Sequence, residues 1–210
     1  NNRVNVQLSY NFKKYLFKFE NMPVFQIKNF LLAASIVCKL GYKLNDIKKL
    51  SLDVPCIPGR MELVGIKKNN AKIFIDFAHT PDALANVLKE AKAMCKSKLH
   101  VVFGCGGDRD REKRSKMLRS AIENSSKVIF TSDNLRNETF EQIFNDAKEG
   151  NKLETVIAIE NRKEAILQGS QMIGENDCLV ILGKGHEQFQ EKGGSYIKYN
   201  DFEVIDEIYS

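Results

Sequence analysis

Polar residues gather at four points of this sequence, and each group directly follows a short apolar segment. The groups are Asp76 with His79, residues 104–114, residues 132–136 and residues 183–187. An aspartate near a histidine can hold the hydroxyls or phosphates of a nucleotide, and a tight glycine turn can direct backbone N–H groups at an anion. The interpretation without a ligand is that Asp76 caps the following turn and His79 is a loop residue. Both interpretations stay open on these residues alone.

The segment Asp133-Asn134-Leu135-Arg136 combines a carboxylate, an amide and a guanidinium. Such a group could bind a zwitterion, because a carboxylate accepts from an ammonium group and a guanidinium forms a two-point bond with a carboxylate. Glu187, in a segment with two glycines that allow close backbone approach, could accept from an ammonium group as well. An amino-acid site is one hypothesis, and an Asx turn followed by an exposed arginine is the other.

Several familiar catalytic motifs are absent from the sequence. The glycine-rich segment that starts at Gly104 is neither G-x-G-x-x-G nor a phosphate loop, and no G-x-x-x-x-G-K-[ST] motif occurs in the chain. His186-Glu187 lacks a second histidine at metalloprotease spacing, and no G-x-S-x-G elbow is present. An ATP-dependent activity would therefore need a phosphate loop from elsewhere, and no metal site is predicted in the chain.

Short apolar strands alternate with amphipathic helices from residue 72 onwards. Strands are predicted at 72–78, 99–103, 127–132, 155–159 and 178–182. Helices are predicted after the first four, and three of them have recognisable N-caps: Thr80, Thr139 and Asn161. This alternation predicts an α/β fold with a Rossmann-like, mostly parallel sheet and helices on both faces. Ligands of such sheets bind at the carboxyl ends of the strands, where the polar groups lie.

The first part of the chain has a different pattern, so the sequence predicts two domains. Strands are predicted at 4–10 and 15–19, followed by a helix over about 27–40 and a short helix capped by Asn45. Pro55, Pro58 and Gly59 then interrupt the pattern. We therefore place the domain boundary there, with domains of 1–57 and 58–210.

The composition is that of a folded protein, with 43% hydrophobic and 28% charged residues among 210. The longest apolar stretch, 30–37, is far shorter than the ~20 residues that span a bilayer, and the first ten residues lack a signal-peptide pattern. A cytoplasmic location without membrane contact is therefore expected.

The five cysteines contain no C-x-x-C pair and are expected to be reduced thiols: Cys38, Cys56, Cys95, Cys105 and Cys178.

The net charge of +5, from 32 basic and 27 acidic residues, suits an anionic partner. The densest basic segment, 109–119, contains interleaved acidic residues, and this pattern favours a solvated loop and helix face. A non-catalytic nucleotide- or RNA-binding α/β module is an alternative function for it. Sites for single-stranded nucleic acid interleave aromatic residues, which residues 108–119 lack, so no nucleic-acid partner is expected. An interaction domain, the third hypothesis, would not explain the polar strand ends.

Five segments, taken in order, resemble the Mur ligases of peptidoglycan synthesis. They are 58–62 (PGRME), 76–82 (DFAHTPD), 102–110 (VFGCGGDRD), 133–136 (DNLR) and 183–187 (GKGHE). Each is moderately specific, and the five in this order are very specific. The resemblance covers residues 58 to 210 and, more loosely, the helix near 27–41, which is similar to the tail of the family's central ATP-binding domain. It identifies the chain as the C-terminal part of such an enzyme.

The resemblance implies an ATP-dependent acid–amino-acid ligase, in which ATP and Mg²⁺ convert a carboxylate to an acyl phosphate that the incoming amine attacks. The most similar branch adds meso-diaminopimelate to UDP-N-acetylmuramoyl-L-Ala-D-Glu, so the implied partners are these small molecules and ATP. The protein is expected to be a monomer. Residues implied to face the nucleotide are Arg60, Asp76 and His79. Residues implied to line the amino-acid pocket are Arg109, Asp133, Asn134, Arg136, Gly183 and Glu187. Arg136 would bind the distal carboxylate, which L-lysine lacks.

The chain departs from the family pattern in two ways. Leu135 stands where the family usually has proline, which frees one backbone torsion next to Arg136. The family's UDP-binding domain, phosphate loop and modified metal-binding lysine have no counterpart in this sequence. ATP and Mg²⁺ are therefore expected to be bound mainly by an upstream region, and this chain alone is expected to be inactive.

Overall fold

The computed structural model describes residues 3–20, 22–52, 54 and 57–209. The chain divides into two compact units, Asn1–Ile57 and Pro58–Ser210. Pro55 and Cys56, which lie at the boundary suggested by the sequence, are outside the described residues.

The first unit contains a β-hairpin followed by helices. Its elements are β1 (Arg3–Tyr10), β2 (Lys13–Glu20), α1 (Val24–Lys39), α2 (Leu44–Lys49) and a 3-10 turn over Leu50–Leu52. The prediction that Asn45 caps the second helix was wrong, because α2 begins at Leu44 with Lys43 as its N-cap. Leu44 is buried, so packing draws it into the first turn of the helix.

Aromatic side chains form the core of this unit. Phe17 and Phe19 lie on one face of β2, two residues apart, and both are fully buried. The ring of Phe30 from α1 packs edge-on against both, at centroid distances of 6.0 and 5.3 Å. Ile27 and Leu44 complete the buried cluster, so the hairpin and both helices share one small core.

The second unit is built on a parallel sheet, as the sequence predicts. Within the described residues, six strands form this sheet in the order β3-β4-β8-β5-β6-β7, and all neighbours are parallel except β3 with β4. The strands are β3 (Glu62–Ile66), β4 (Lys72–Asp76), β5 (Leu99–Cys105), β6 (Lys127–Ser132), β7 (Val156–Ile159) and β8 (Cys178–Leu182). The α/β, Rossmann-like fold class is confirmed.

Helices cover both faces of this sheet. They are α3 (Pro81–Met94), α4 (Glu112–Asn124), α5 (Phe140–Lys148), α6 (Arg162–Met172) and α7 (Asp201–Tyr209). Helices α3, α4 and α5 pack side by side on one face. Helices α6 and α7 cover the other face, where their buried residues pack on alternate residues of β4, β5, β6 and β8.

The three helix caps predicted in the second unit are confirmed. The Thr80 hydroxyl accepts from the backbone N–H of Ala83, and Pro81 occupies the first helical position. Thr139 and Gln142 form the reciprocal bonds of a capping box. The side chain of Asn161 likewise accepts from the N–H of Glu164. These local bonds start each helix just after the carboxyl end of a strand.

Three elements of the second unit were not predicted from the sequence. They are the antiparallel edge strand β3, the terminal helix α7, and a hairpin of β9 (Phe189–Lys192) with β10 (Ser195–Lys198). Arg136 forms an isolated parallel bridge with Lys192, which attaches this hairpin to the loop after β6. Among the described residues, none of the helices combines the length and apolar character needed to cross a membrane. The four described cysteines are free thiols.

Candidate functional site

The carboxyl ends of β5, β6 and β8, with the loop after β4, surround a cavity of about 450 Å³. Seven of the nine site residues named from the sequence line it: His79, Arg109, Asp133, Asn134, Arg136, Gly183 and Glu187. Arg60 and Asp76 are not among its lining residues. The fold therefore brings together the complete set expected to bind an amino acid, plus one residue expected to face a nucleotide.

Arg136 is held in position by the β9–β10 hairpin. Its φ of +51° is in the left-handed region that non-glycine residues rarely adopt. The Arg136 N–H donates to the carbonyl of Glu191 at 3.0 Å, and its carbonyl accepts from the N–H of Gly193 at 2.7 Å. Leu135 is buried beside it. Backbone bonding and burial thus constrain this loop without a proline at position 135.

The guanidinium of Arg136 is oriented by two further contacts. Nε lies 3.1 Å from Glu191 Oε2, and Nη1 donates to the carbonyl of Gly107 at 2.7 Å. An arginine has five N–H donors, so the described contacts leave three for a ligand in the cavity. Because these donors lie in one plane, they suit a carboxylate better than a spherical ion.

The glycine segment after β5 lets two loops approach each other. A Cβ on Gly107 would overlap the carbonyl oxygen of Leu135, so only glycine fits there. The N–H of Gly107 donates to the carbonyl of Asn134 at 2.8 Å. This N–H is therefore bound within the protein, and the segment supports the loop that carries Asn134 and Arg136 through close packing.

Arg114 is a buried support of the same glycine segment. Its guanidinium donates to both carboxylate oxygens of Glu138 at 2.8 and 2.7 Å, to Asp146 at 2.7 Å and to the carbonyl of Gly106 at 3.1 Å. These bonds from Arg114 lower the pKa of Glu138 to about 2. The interpretation of residues 109–119 as a solvated face was wrong at Arg114, because its acidic partners come from distant parts of the chain.

Asp76 is placed differently from what the resemblance implies. Its side chain is 1% exposed, and its two oxygens accept from the N–H groups of Met61 and Ala78 at 2.8 and 2.7 Å. Burial raises the pKa of this carboxyl above its ordinary value. Because both oxygens are bonded to backbone and hidden from the cavity, Asp76 positions the loop that carries His79, and a direct contact with a nucleotide does not fit this geometry.

His79 lies at the rim of the cavity, next to Phe77. Its Nδ1 is 2.9 Å from the carbonyl of Phe77, so this nitrogen carries the proton and donates. The two rings pack edge-on with their centroids 4.9 Å apart, and the ring centroid of His186 lies 5.6 Å from that of Phe77. Nε2 of His79 is then an acceptor at neutral charge and a donor when the ring is protonated. Arg60 is exposed, and its positive charge partly offsets the rise that burial causes in the pKa of Asp76.

Lys184 is a site residue that sequence reasoning missed. Its side chain is fully buried, and Nζ donates to Glu187 Oε2 at 2.8 Å and to Asn134 Oδ1 at 3.0 Å. Lys184 belongs to no phosphate-loop motif, and no role was predicted for it from the sequence. The available signal was its place directly after a fully buried strand, between two glycines, where a charged side chain has to find a partner.

The described residues do not fit a magnesium site. They contain no group of three or more histidines, cysteines or carboxylates arranged to hold a metal. Three acidic residues line the cavity: Asp110, Asp133 and Glu187. Asp133 and Glu187 lie 3.8 and 2.8 Å from the ammonium of Lys184, which competes with a metal for their charge.

Residues 59–185 match the family described as Mur ligase, glutamate ligase domain. The chain belongs to the Mur ligase family. It is 40% identical over 190 residues to the UDP-N-acetylmuramoyl-L-alanyl-D-glutamate--2,6-diaminopimelate ligase of Prochlorococcus marinus, a match that covers 88% of this chain and 37% of the relative. A ligase of the same name from Rickettsia montanensis is 37% identical over 203 residues, or 96% of this chain and 42% of the relative. The chain thus spans about two fifths of these Mur ligases.

One solved structure supports the same family, and a second shares the fold. A UDP-N-acetylmuramoyl-L-alanyl-D-glutamate--2,6-diaminopimelate ligase superposes with a TM-score of 0.72 at 34% identity, covering 98% of this chain and 43% of that structure. The UDP-N-acetylmuramate-alanine ligase of Thermotoga maritima shares the fold, with a TM-score of 0.63 at 20% identity over 83% of this chain and 38% of that structure. The resemblance to the Mur ligases inferred from five short segments is confirmed.

Proposed function

We propose that this chain supplies the amino-acid-binding part of an ATP-dependent ligase that joins meso-diaminopimelate to UDP-N-acetylmuramoyl-L-Ala-D-Glu. The observation that carries the proposal is the shared cavity of Arg136, Asp133 and Glu187. A cation and two carboxylates facing one space match the distal end of diaminopimelate, which carries a carboxylate and an ammonium group. The relatives named for this reaction support the same substrate.

In this proposal the chain's residues bind and orient the nucleophile. Arg136 holds the distal carboxylate with its remaining donors, while Glu187 and Asp133 accept from the distal ammonium. Arg109, at the same cavity, supplies a further cation for a carboxylate of the amino acid. With one end fixed, the reacting amine is directed to the acyl phosphate, and this orientation lowers the entropic part of the barrier.

The nucleotide side of the proposal uses fewer residues of this chain. We assign His79 and Arg60 to contacts with the nucleotide and Asp76 to the support of their loops. The first unit, Asn1–Ile57, is then the tail of the ATP-binding domain. ATP supplies the acyl-phosphate chemistry, and binding of its phosphates and of Mg²⁺ is assigned to other parts of the complete enzyme. The monomeric state and the cytoplasmic location stay predictions.

A binding experiment on the chain tests the proposal. The ¹⁵N-labelled protein is titrated with meso-diaminopimelate and, separately, with L-lysine, and amide shifts are followed by NMR. We expect saturable shifts around residues 133–136 and 183–187 with meso-diaminopimelate, and much weaker binding of L-lysine. The variant Lys163→Ala, which breaks an exposed ion pair with Glu207, serves as a control with unchanged binding. Equal binding of both amino acids, or none by meso-diaminopimelate, would contradict the proposal.

A further inference from the structure

The ammonium group of Lys184 lies among three residues that the proposed amino-acid site uses. Besides its bonds to Glu187 and Asn134, Nζ is 3.8 Å from Asp133 Oδ1. The side chain is 0% exposed, whereas that of Glu187 is 34% exposed. Burying an ammonium is costly unless its donors are paired, so a lysine that serves only packing would be replaced by an apolar residue at little cost.

Lys184 and the backbone N–H of Glu191 together set which way the side-chain amide of Asn134 points. Asn134 Oδ1 accepts from Lys184 Nζ and from the N–H of Glu191, both at 3.0 Å. A flipped amide would place its NH₂ group against an ammonium and an N–H, which are donors as well. Asn134 Nδ2 is therefore directed to Glu187 Oε2 at 3.2 Å. Both donors to Glu187 use Oε2, so in the described contacts Oε1 is left for a ligand.

Lys184 also sets the charge of this side of the cavity. Asp133 and Glu187 together carry two negative charges, and the lysine between them offsets one. The guanidinium of Arg136 lies nearby with its own partner, Glu191. The balance suits a distal group that carries both charges. Without Lys184 the two carboxylates would attract a lone ammonium more strongly and repel a carboxylate.

We infer that Lys184 is a positioning and specificity-determining residue, which fixes Asn134 and Glu187 and limits the negative charge around them, so that the cavity prefers a zwitterionic distal group to a lone ammonium. The inference rests on the proposed function, because it takes meso-diaminopimelate and L-lysine as the two ligands to be compared. It adds a residue that touches neither ligand but acts through those that do.

The variant Lys184→Met tests this in the same titrations. We expect its affinity for meso-diaminopimelate to fall by about tenfold or more, while that for L-lysine changes by less than about threefold or rises. A merely structural role would lower both affinities alike, and that result would overturn the inference. The matched control is Lys198→Met, which makes the same change in an exposed ion pair with Glu203 and leaves both affinities unchanged.

A double-mutant cycle with Glu187→Gln separates positioning from other effects. If Lys184 acts mainly through Glu187, adding Lys184→Met to Glu187→Gln changes the ratio of the two affinities by less than about threefold, because only Asp133, at 3.8 Å, then loses an offsetting charge. A tenfold change in that background would overturn the inference. The double variant removes the charges of both members of the Lys184–Glu187 pair and leaves Asp133 as the carboxylate beside the lost ammonium, so it is expected to fold even if Lys184→Met alone does not.

The titrations also distinguish the two proposals. If the unsubstituted chain does not bind meso-diaminopimelate, the proposed function fails and this inference falls with it. If the unsubstituted chain binds meso-diaminopimelate and Lys184→Met still prefers meso-diaminopimelate to L-lysine by the same factor, only the role of Lys184 is refuted.

Discussion

Asp76 and Asp133 lie at equivalent places in the fold and have different surroundings. Each is found where a parallel strand, β4 or β6, meets a loop at the carboxyl edge of the sheet. Asp76 is bonded through both oxygens to backbone N–H groups. Asp133 accepts from the N–H of Asn134 at 2.7 Å through Oδ1, and it lines the cavity. The strand end therefore indicates where polar residues gather, and hydrogen-bond partners decide which of them can reach a ligand.

A neighbouring glycine accounts for part of this difference. A Cβ on Gly183, whose φ is +110°, would lie 2.7 Å from Asp133 Oδ2. Glycine at this position therefore leaves room for the Asp133 carboxylate beside the loop after β8. The loop after β4 instead turns back so that Ala78 donates to Asp76, as in an Asx turn. One aspartate is used to shape a loop, and the other is left beside the cavity.

The variant Asp76→Ala should have the largest effect on stability. It removes two charge-assisted bonds and leaves two backbone N–H groups buried, which costs roughly 3–6 kcal/mol of unfolding free energy. Asp133→Ala should cost less than half as much, because Lys184 keeps its bonds to Glu187 and Asn134. Urea unfolding of both variants measures the difference. Equal losses would remove the distinction between the two aspartates.

Glu138, which follows the loop that carries Asp133, should make the free energy of unfolding depend on pH. Its folded-state pKa of about 2 lies below the ordinary 4.5, so its contribution is complete above pH 4.5 and is lost as the pH falls from 4.5 towards 2. The loss amounts to about 3 kcal/mol. Unfolding measured across this pH range should show a smaller loss in Glu138→Gln than in the unsubstituted chain. Parallel curves would show that the ion pair with Arg114 adds nothing.

Arg136→Ala should act on binding with little effect on folding. Each charged bond to the distal carboxylate contributes roughly 1.5–3 kcal/mol, so the affinity for meso-diaminopimelate should fall about tenfold or more per bond. The affinity for L-lysine should fall much less, because L-lysine has no carboxylate there. Titration calorimetry with both amino acids checks this. Equal losses would mean that Arg136 does not bind the distal carboxylate.

His79→Ala should have the smallest effect on stability, and it lies only three residues from Asp76. His79 is exposed, so its removal should change the unfolding free energy by less than about 0.5 kcal/mol. In the complete enzyme, the affinity for an ATP analogue should fall more than that for meso-diaminopimelate. Binding of each ligand to the variant, measured separately, tests the assignment. A larger loss for the amino acid would place His79 on the other side of the site.

Local patterns in the sequence are enough to predict the parallel sheet, three caps of its helices and the family. The strands of the sheet interior are short apolar runs of about five residues, and the caps Thr80, Thr139 and Asn161 act on residues three positions away. Such signals are local, so they are legible without coordinates. The edge strand β3 and the β9–β10 hairpin are more exposed, and without a buried face they have little apolar pattern to recognise.

The bonds of the polar residues around the site depend on partners that are distant in the sequence. Lys184 meets Asn134 across 50 positions of sequence, and Arg114 meets Glu138 across 24. Asp76 meets Met61 across 15. A residue type and its spacing show which bonds a side chain is able to form. Which bonds it forms depends on the partners that the fold places within about 3 Å, because hydrogen bonds and buried ion pairs act only at that range.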